Sequence, residues 1–302
     1  MALVGKTQIP PGAPNDRSAM QGLYLWPGII GNLYHVSSVL GVGSGGPGAT
    51  PHNAFSTVDQ GNNACTATNG DVVLIAPGHA ENITASATLT ADIAGVTFQG
   101  LGSGRARPIL TWTATASQVA VSAANVTFRN IVFDLAGIDA VVAAFSITGT
   151  DCTFEDCEFI TNKAAAGAVL GLVTAATATR FRVLNCRFLG TFANSGTTTT
   201  AQIKHEVGID YEISGNFMCG KMTQAILNAT TVLGGFIHNN RIHVGTGTEA
   251  ITMETSSSGL ISANYVCVAS GTAPFVGAAM SYSQNHYTTE ANGPTAGTAD
   301  AV

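Results

Sequence analysis

The chain of 302 residues carries only 12 Lys+Arg and 18 Asp+Glu, so about 10% of it is charged, against roughly 25% in an ordinary soluble domain. A formal charge of −6 with no Lys/Arg run argues against binding to nucleic-acid phosphates. No stretch reaches the ~18 uninterrupted apolar residues of a membrane span. Hydrophobic residues at 45% supply a core, while 35 Gly among many Thr, Ser, Ala and Asn favour strands and turns over long helices.

Residues 1–50 match no repeat. They hold Pro10-Pro11, an apolar stretch from Leu23 to Ile30 and a Gly-rich hinge from Gly41 to Gly48. The start lacks the charged and apolar regions of a secretory leader, so none is expected. The segment reads as an arm that orders against the first coil, another subunit or a larger assembly, with Trp26, Ile29, Ile30 and Tyr34 as its anchors. Thr57-Val-Asp-Gln60 is a capping-box pattern and predicts a short helix over the open end of the fold. Asn69-Gly70 then stops the chain, and Asp71 to Gly78 reads as the first strand, with His79 in the turn behind it.

From Val96 onward one frame recurs every 21 to 30 residues. Its segments start at Val96, Val126, Cys152, Phe181, Tyr211, Gly235, Gly259 and Met280. Counting each start as position 1, positions 1 and 3 are mostly apolar, and position 8 is apolar in all but the first segment. Such a segment is a corner between two short strands. A unit this small cannot bury its own apolar face, so the units must stack. The expected fold is all-β: a parallel β-helix of about eight or nine coils spanning residues 51–288, between the arm of 1–50 and a tail of 289–302.

Position 6 runs Leu101, Ile131, Cys157, Cys186, Asn216, Asn240, Asn264, Asn285. Stacked amides about 4.8 Å apart donate to one rung and accept from the other, so the asparagines are expected to form a ladder continued by the two cysteines. None of the six cysteines forms Cys-x-x-Cys, and all are read as free, mostly buried thiols. His238, His243 and His286 sit at different frame positions and are read as solvated. No metal and no cofactor is expected.

Asp156 and Glu158 flank Cys157. If both extend as strand residues they lie about 7 Å apart, the separation of an inverting glycosidase pair, and they are the only catalytic candidates. Against this, the columns place Arg129 beside Glu155, Glu158 beside Arg187 and Arg182 beside Glu212, so ladder pairing is the preferred reading. Position 7 of the last rungs gives an outward stripe of Phe217, Arg241, Tyr265 and His286. A guanidinium between aromatic rings either faces a second subunit, stacks within the chain or contacts carbohydrate.

The short helix, the strand Gly70 to Gly78 and rungs of the Val126-Thr-Phe-Arg-Asn-Ile-Val-Phe133 type resemble the pectin-lyase-like right-handed β-helix superfamily. Ala64 to Glu81, Ala94 to Pro108 and Val121 to Phe128 are similar in wording to β-helix proteins of tailed-phage virions, which often decorate or cement the capsid. The Asp-Asp and Gly-His-Gly motifs of pectin-cleaving relatives are missing, and Asn240-Arg-Ile-His243 only echoes their Arg-Ile-Lys. The resemblance implies a right-handed helix. It also implies a non-enzymatic protein of the outer capsid surface, made in the host cytoplasm. This protein would assemble as a homotrimer that binds the major capsid protein and clamps adjacent capsomers, without nucleic acid or membrane. The alternative is a tailspike or head-fibre β-helix that binds or cleaves host polysaccharide.

Overall fold

The computed structural model describes residues 31–41, 48–193, 195–206, 208–270, 274–277, 279–289 and 297–298. Among the described residues three long parallel sheets run side by side, and consecutive strands of a coil fall in different sheets, so the fold is a parallel β-helix. The first sheet holds ten strands among the described residues, from Leu33–Val36 and Val72–Ile75 through Thr153–Glu155 to Met280–Ser283. The second runs from Ala80–Ile83 through Glu158–Ile160 to His286–Thr289, where Gly297–Thr298 pairs antiparallel with its last strand. The third runs from Thr90–Ala91 to Phe275–Val276.

The turn between the first and second sheets is made by one residue. Position 5 of the frame is left-handed in successive rungs: Asn130 (φ 56°), Asp156 (54°), Asn185 (54°), Gly215 (69°), Asn239 (57°), Ala263 (52°) and Gln284 (55°). Asn, Asp and Gly occupy this region at low cost, and a single such residue swings the chain so that position 6 points inward. The apolar positions then stack rung on rung. Phe98, Phe128 and Phe154 lie parallel with centroids 4.7 and 5.0 Å apart, and Phe159 lies on Phe188 at 4.5 Å. Phe145 meets Phe133 and Phe154 edge-on from the third sheet. Further along, the same columns pass to Val183, Ile213, Ile237 and Ile261, all fully buried.

The N-terminal end is closed by the helix Val58–Asn63. Thr57 Oγ1 accepts from the Gln60 N–H at 3.3 Å, and Gln60 Oε1 accepts from the Thr57 N–H at 3.3 Å. Glu81 Oε2 accepts from the Val58 N–H at 2.8 Å and lies 3.1 Å from Nε2 of His79. His79, expected in a turn, is fully enclosed there. The solenoid also begins earlier than expected. Leu33–Val36, placed in the arm by its lack of the frame, pairs in parallel with Val72–Ile75.

Candidate functional site

The position-6 column is a continuous run of buried amides. Oδ1 of Asn216 accepts from the Cys186 N–H at 2.8 Å. Asn216 in turn donates from its backbone N–H (3.0 Å) and Nδ2 (2.9 Å) to Oδ1 of Asn240. Asn240 repeats both bonds toward Asn264, and Asn264 toward Asn285, all between 3.0 and 3.1 Å. Each Nδ2 also donates to a carbonyl of the preceding rung, as Asn240 does to Ile213 at 2.8 Å. Cys157 and Cys186 continue the column, each thiol donating to backbone carbonyls, and burial pushes the Cys186 thiol well above its ordinary range.

The carboxylates of the Cys157 rung do not form an extended pair. Asp156 occupies the left-handed corner, so it leaves the strand before Glu158 enters the next sheet. Its carboxyl is held above the usual range by partial burial and by the neighbouring Glu155. Glu158 Oε2 accepts from Arg107 Nη2 at 2.7 Å and lies 3.5 Å from Arg187 Nη1. Glu155 accepts from Arg129, and Asp151 is clamped by Arg180 at 2.6 Å, which holds its carboxyl below the usual range. Asp156→Asn is expected to leave stability within about 0.5 kcal/mol, because asparagine accepts the same backbone region. Asp156→Val should cost about 1–2 kcal/mol in urea denaturation, since a β-branched residue resists positive φ.

Two features escaped the columns. Arg107 reaches Glu158 across the Val132 rung, and the irregular residues before Ile109–Trp112 hide that approach from the frame. The expected Arg182–Glu212 pair is also replaced, although the two are register partners. Glu212 Oε1 accepts from Ser214 Oγ at 3.2 Å and lies 3.2 Å from His238 Nε2, drawn by a side chain two positions along the next rung. Arg182 makes no salt bridge within 4.0 Å among the described residues, although its charge helps hold the Asp151 carboxyl low. It borders a groove of about 260 Å³ on the outer face of the first sheet, lined also by Thr127, Arg129, Thr153 and Glu155. Thr153 Oγ1 is buried there with no hydrogen-bond partner.

On the outer face of the second sheet, Arg187, Phe217, Arg241, Tyr265 and His286 are register neighbours on successive strands. The Arg241 guanidinium lies 6.0 Å from the centroid of Phe217, and Tyr265 stacks on His286 at 5.1 Å while staying 59% exposed. Rings stacked along the solenoid axis turn their edges outward. His243 lies one column over, against Phe192 at 4.3 Å, and His238 is on another sheet, so the three histidines of the last rungs do not converge. Among the described residues no group of three or more His, Cys, Asp or Glu is placed to hold a metal ion. Tyr34 packs inward against Phe55 at 6.3 Å; Trp26, Ile29 and Ile30 lie outside the described residues.

Neither a protein-family model nor a curated protein matches the chain. Among solved structures it is similar to a rhamnogalacturonan lyase, with a TM-score of 0.50 and 11% identity over 78% of this chain and 74% of that one. The likeness is one of fold. It corrects one expectation: the resemblance to virion β-helix proteins implies a non-enzymatic chain, whereas the fold here is shared with a polysaccharide lyase, so neither the fold nor the missing motifs set it apart from catalysis.

Proposed function

We propose that the chain is a surface protein of a tailed-phage virion that binds the outer capsid and clamps adjacent capsomers. The observation that carries this reading is where the polar chemistry goes. Asn216 to Asn285, Glu155, Glu158 and Asp151 are each spent on another rung of the same chain. The result is a rigid body with few charges, bearing one outward face of aromatic and cationic side chains. Several weak contacts from such rigid bodies hold a lattice by avidity. The virion assignment itself rests on the wording of residues 64–128. Capsid shells lacking the protein should bind the full chain and lose most of that binding to a chain starting at Gly31, which keeps the strand Leu33–Val36. Equal binding by both would remove the arm from the reading, and no binding by either would remove the capsid.

A glycan-binding spike is the second reading. The groove bordered by Arg182 and Arg129, and the fold shared with a rhamnogalacturonan lyase, favour it. Retention on immobilised bacterial surface polysaccharide, lost in Arg182→Ala, would move the assignment there.

A further inference from the structure

One end of the body is without cations. No Lys or Arg stands between Arg17 and Arg105, so the first coil and the helix Val58–Asn63 that closes it carry none. The four acids of residues 31–104 all fasten that end to itself. Asp71 is buried under two backbone N–H groups, Glu81 accepts from the helix at Val58, and Asp59 and Asp92 each accept from an asparagine of the helix. Out of this end stand two adjacent apolar side chains. Val39 is 80% exposed, the most of any large apolar residue among the described ones, and Leu40 is 49% exposed. The turn that carries them is fixed. Ser37 Oγ accepts from the N–H groups of both at 3.3 and 3.1 Å, and the Gly41 N–H donates to the Ser37 carbonyl at 2.8 Å. Ser38 Oγ accepts from the Ala80 N–H at 3.0 Å, at the start of the second sheet. Gly41 lies so close to Ser56 that a Cβ on it would stand 2.6 Å from the Ser56 Cα.

We propose that the body stands on the capsid by this N-terminal end, with Val39 and Leu40 seated in an uncharged, apolar recess of the shell protein; this rests on the capsid reading above and adds which end makes the contact. A single exposed apolar residue is ordinary. An adjacent pair on a surface free of cations has the composition of an interface centre, where charge is depleted. The partner's chemistry follows from the same fact. A charged surface laid against this end would lose its hydration and find no opposite charge, whereas an apolar recess has no such cost. The turn is already ordered by its own hydrogen bonds, so little conformational freedom is left to lose on docking. The rest of the chain leads to the same place: 30 residues, including the apolar stretch from Leu23, precede Gly31, which enters the fold against Gly70 and Asp71 at the head of the strand Val72–Ile75. Arm and turn then engage one partner from one end, and their contacts reinforce each other.

The test is binding of the full chain to preformed shells lacking it, by co-sedimentation, with thermal melts to confirm that each variant is folded. Wild type should bind, and Val39→Asp with Leu40→Asp should bind at least about tenfold more weakly, because each carboxylate would be buried without a partner. Val142→Asp, which charges an apolar residue 60% exposed further along the body, should bind like wild type. A double variant that binds like wild type, or a Val142→Asp loss as large as its own, overturns the end-on contact and leaves the capsid reading standing. A wild type that binds no shell overturns both. Electron cryomicroscopy of decorated shells should show the body upright on its N-terminal end, and a body lying on its flank overturns the contact. A wild type that self-associates in sedimentation velocity, and is made monomeric by the double variant, gives the turn to a second copy and overturns the shell as its occupant.

Discussion

Replacing Asn240 by Ala is expected to cost about 5 kcal/mol of stability, the sum of three orphaned groups at about 1–3 kcal/mol each. The side chain sits at the centre of the ladder. Its Oδ1 takes both the backbone N–H and Nδ2 of Asn216, and its Nδ2 serves Ile213 and Asn264. Alanine leaves two donors and a carbonyl unsatisfied in a place where water does not enter, since Asn240 is fully buried. Asn285→Ala should cost nearly as much, because it strands the corresponding three groups, the Asn264 backbone N–H, the Asn264 Nδ2 and the Ile261 carbonyl, and spares only the onward bond to a further rung. Chemical denaturation of the two variants checks this, and a loss below about 1 kcal/mol in either would show that the stranded groups find other partners.

Acid should weaken the fold through His205. This imidazole is fully buried, with Nδ1 2.7 Å from Thr174 Oγ1, its ring against Tyr211 at 4.3 Å, and Nε2 without a partner. Burial lowers its pKa from 6.5 to about 3. The folded state therefore binds a proton less readily than the unfolded chain, so stability from this group is intact above pH 6.5 and is lost as the pH falls from there toward about 3. The slope is about 1.4 kcal/mol per pH unit, on the order of 4 kcal/mol by pH 3.5. His35, partly buried, is shifted in the same direction. Unfolding curves for wild type and His205→Gln between pH 7 and 3.5 should converge as the pH falls, since glutamine has nothing to protonate. Parallel curves would mean that His205 is not the acid-sensitive group.

The fold was legible because every rung repeats the same inward positions. A column such as Phe98, Phe128, Phe154 or Asn216, Asn240, Asn264 is visible in the sequence once the frame is laid, and the capping box of Thr57 and Gln60 is a local pattern that needs no tertiary information. What the frame missed lies off it. Leu33–Val36 carries no corner motif and joins the first sheet by pairing alone. Asp156 falls in the corner of the frame, and its positive φ removes the extended pair with Glu158 that the catalytic reading needed. Arg107 comes from an irregular segment, so no count of rungs brings it to Glu158. The outward side chains are harder to read than the inward ones for a physical reason. A core position has one direction to face, whereas an exposed Arg182 or Glu212 chooses among neighbours on two rungs, and Glu212 goes with His238.

The asparagine ladder has a further consequence for how the length of this rod is set. From Asn216 to Asn240 and from Asn240 to Asn264 the step is 24 residues, and each step carries the same two donors and one acceptor. Every rung in this stretch presents the next with an identical socket, so a whole 24-residue unit is an exchangeable module. Duplicating one lengthens the body by about 4.8 Å without asking any neighbour to change its bonding, whereas inserting one residue fewer or more puts a different side chain in the socket. Reach along the axis is thereby quantised, and a lineage of such chains would adjust its span by whole coils.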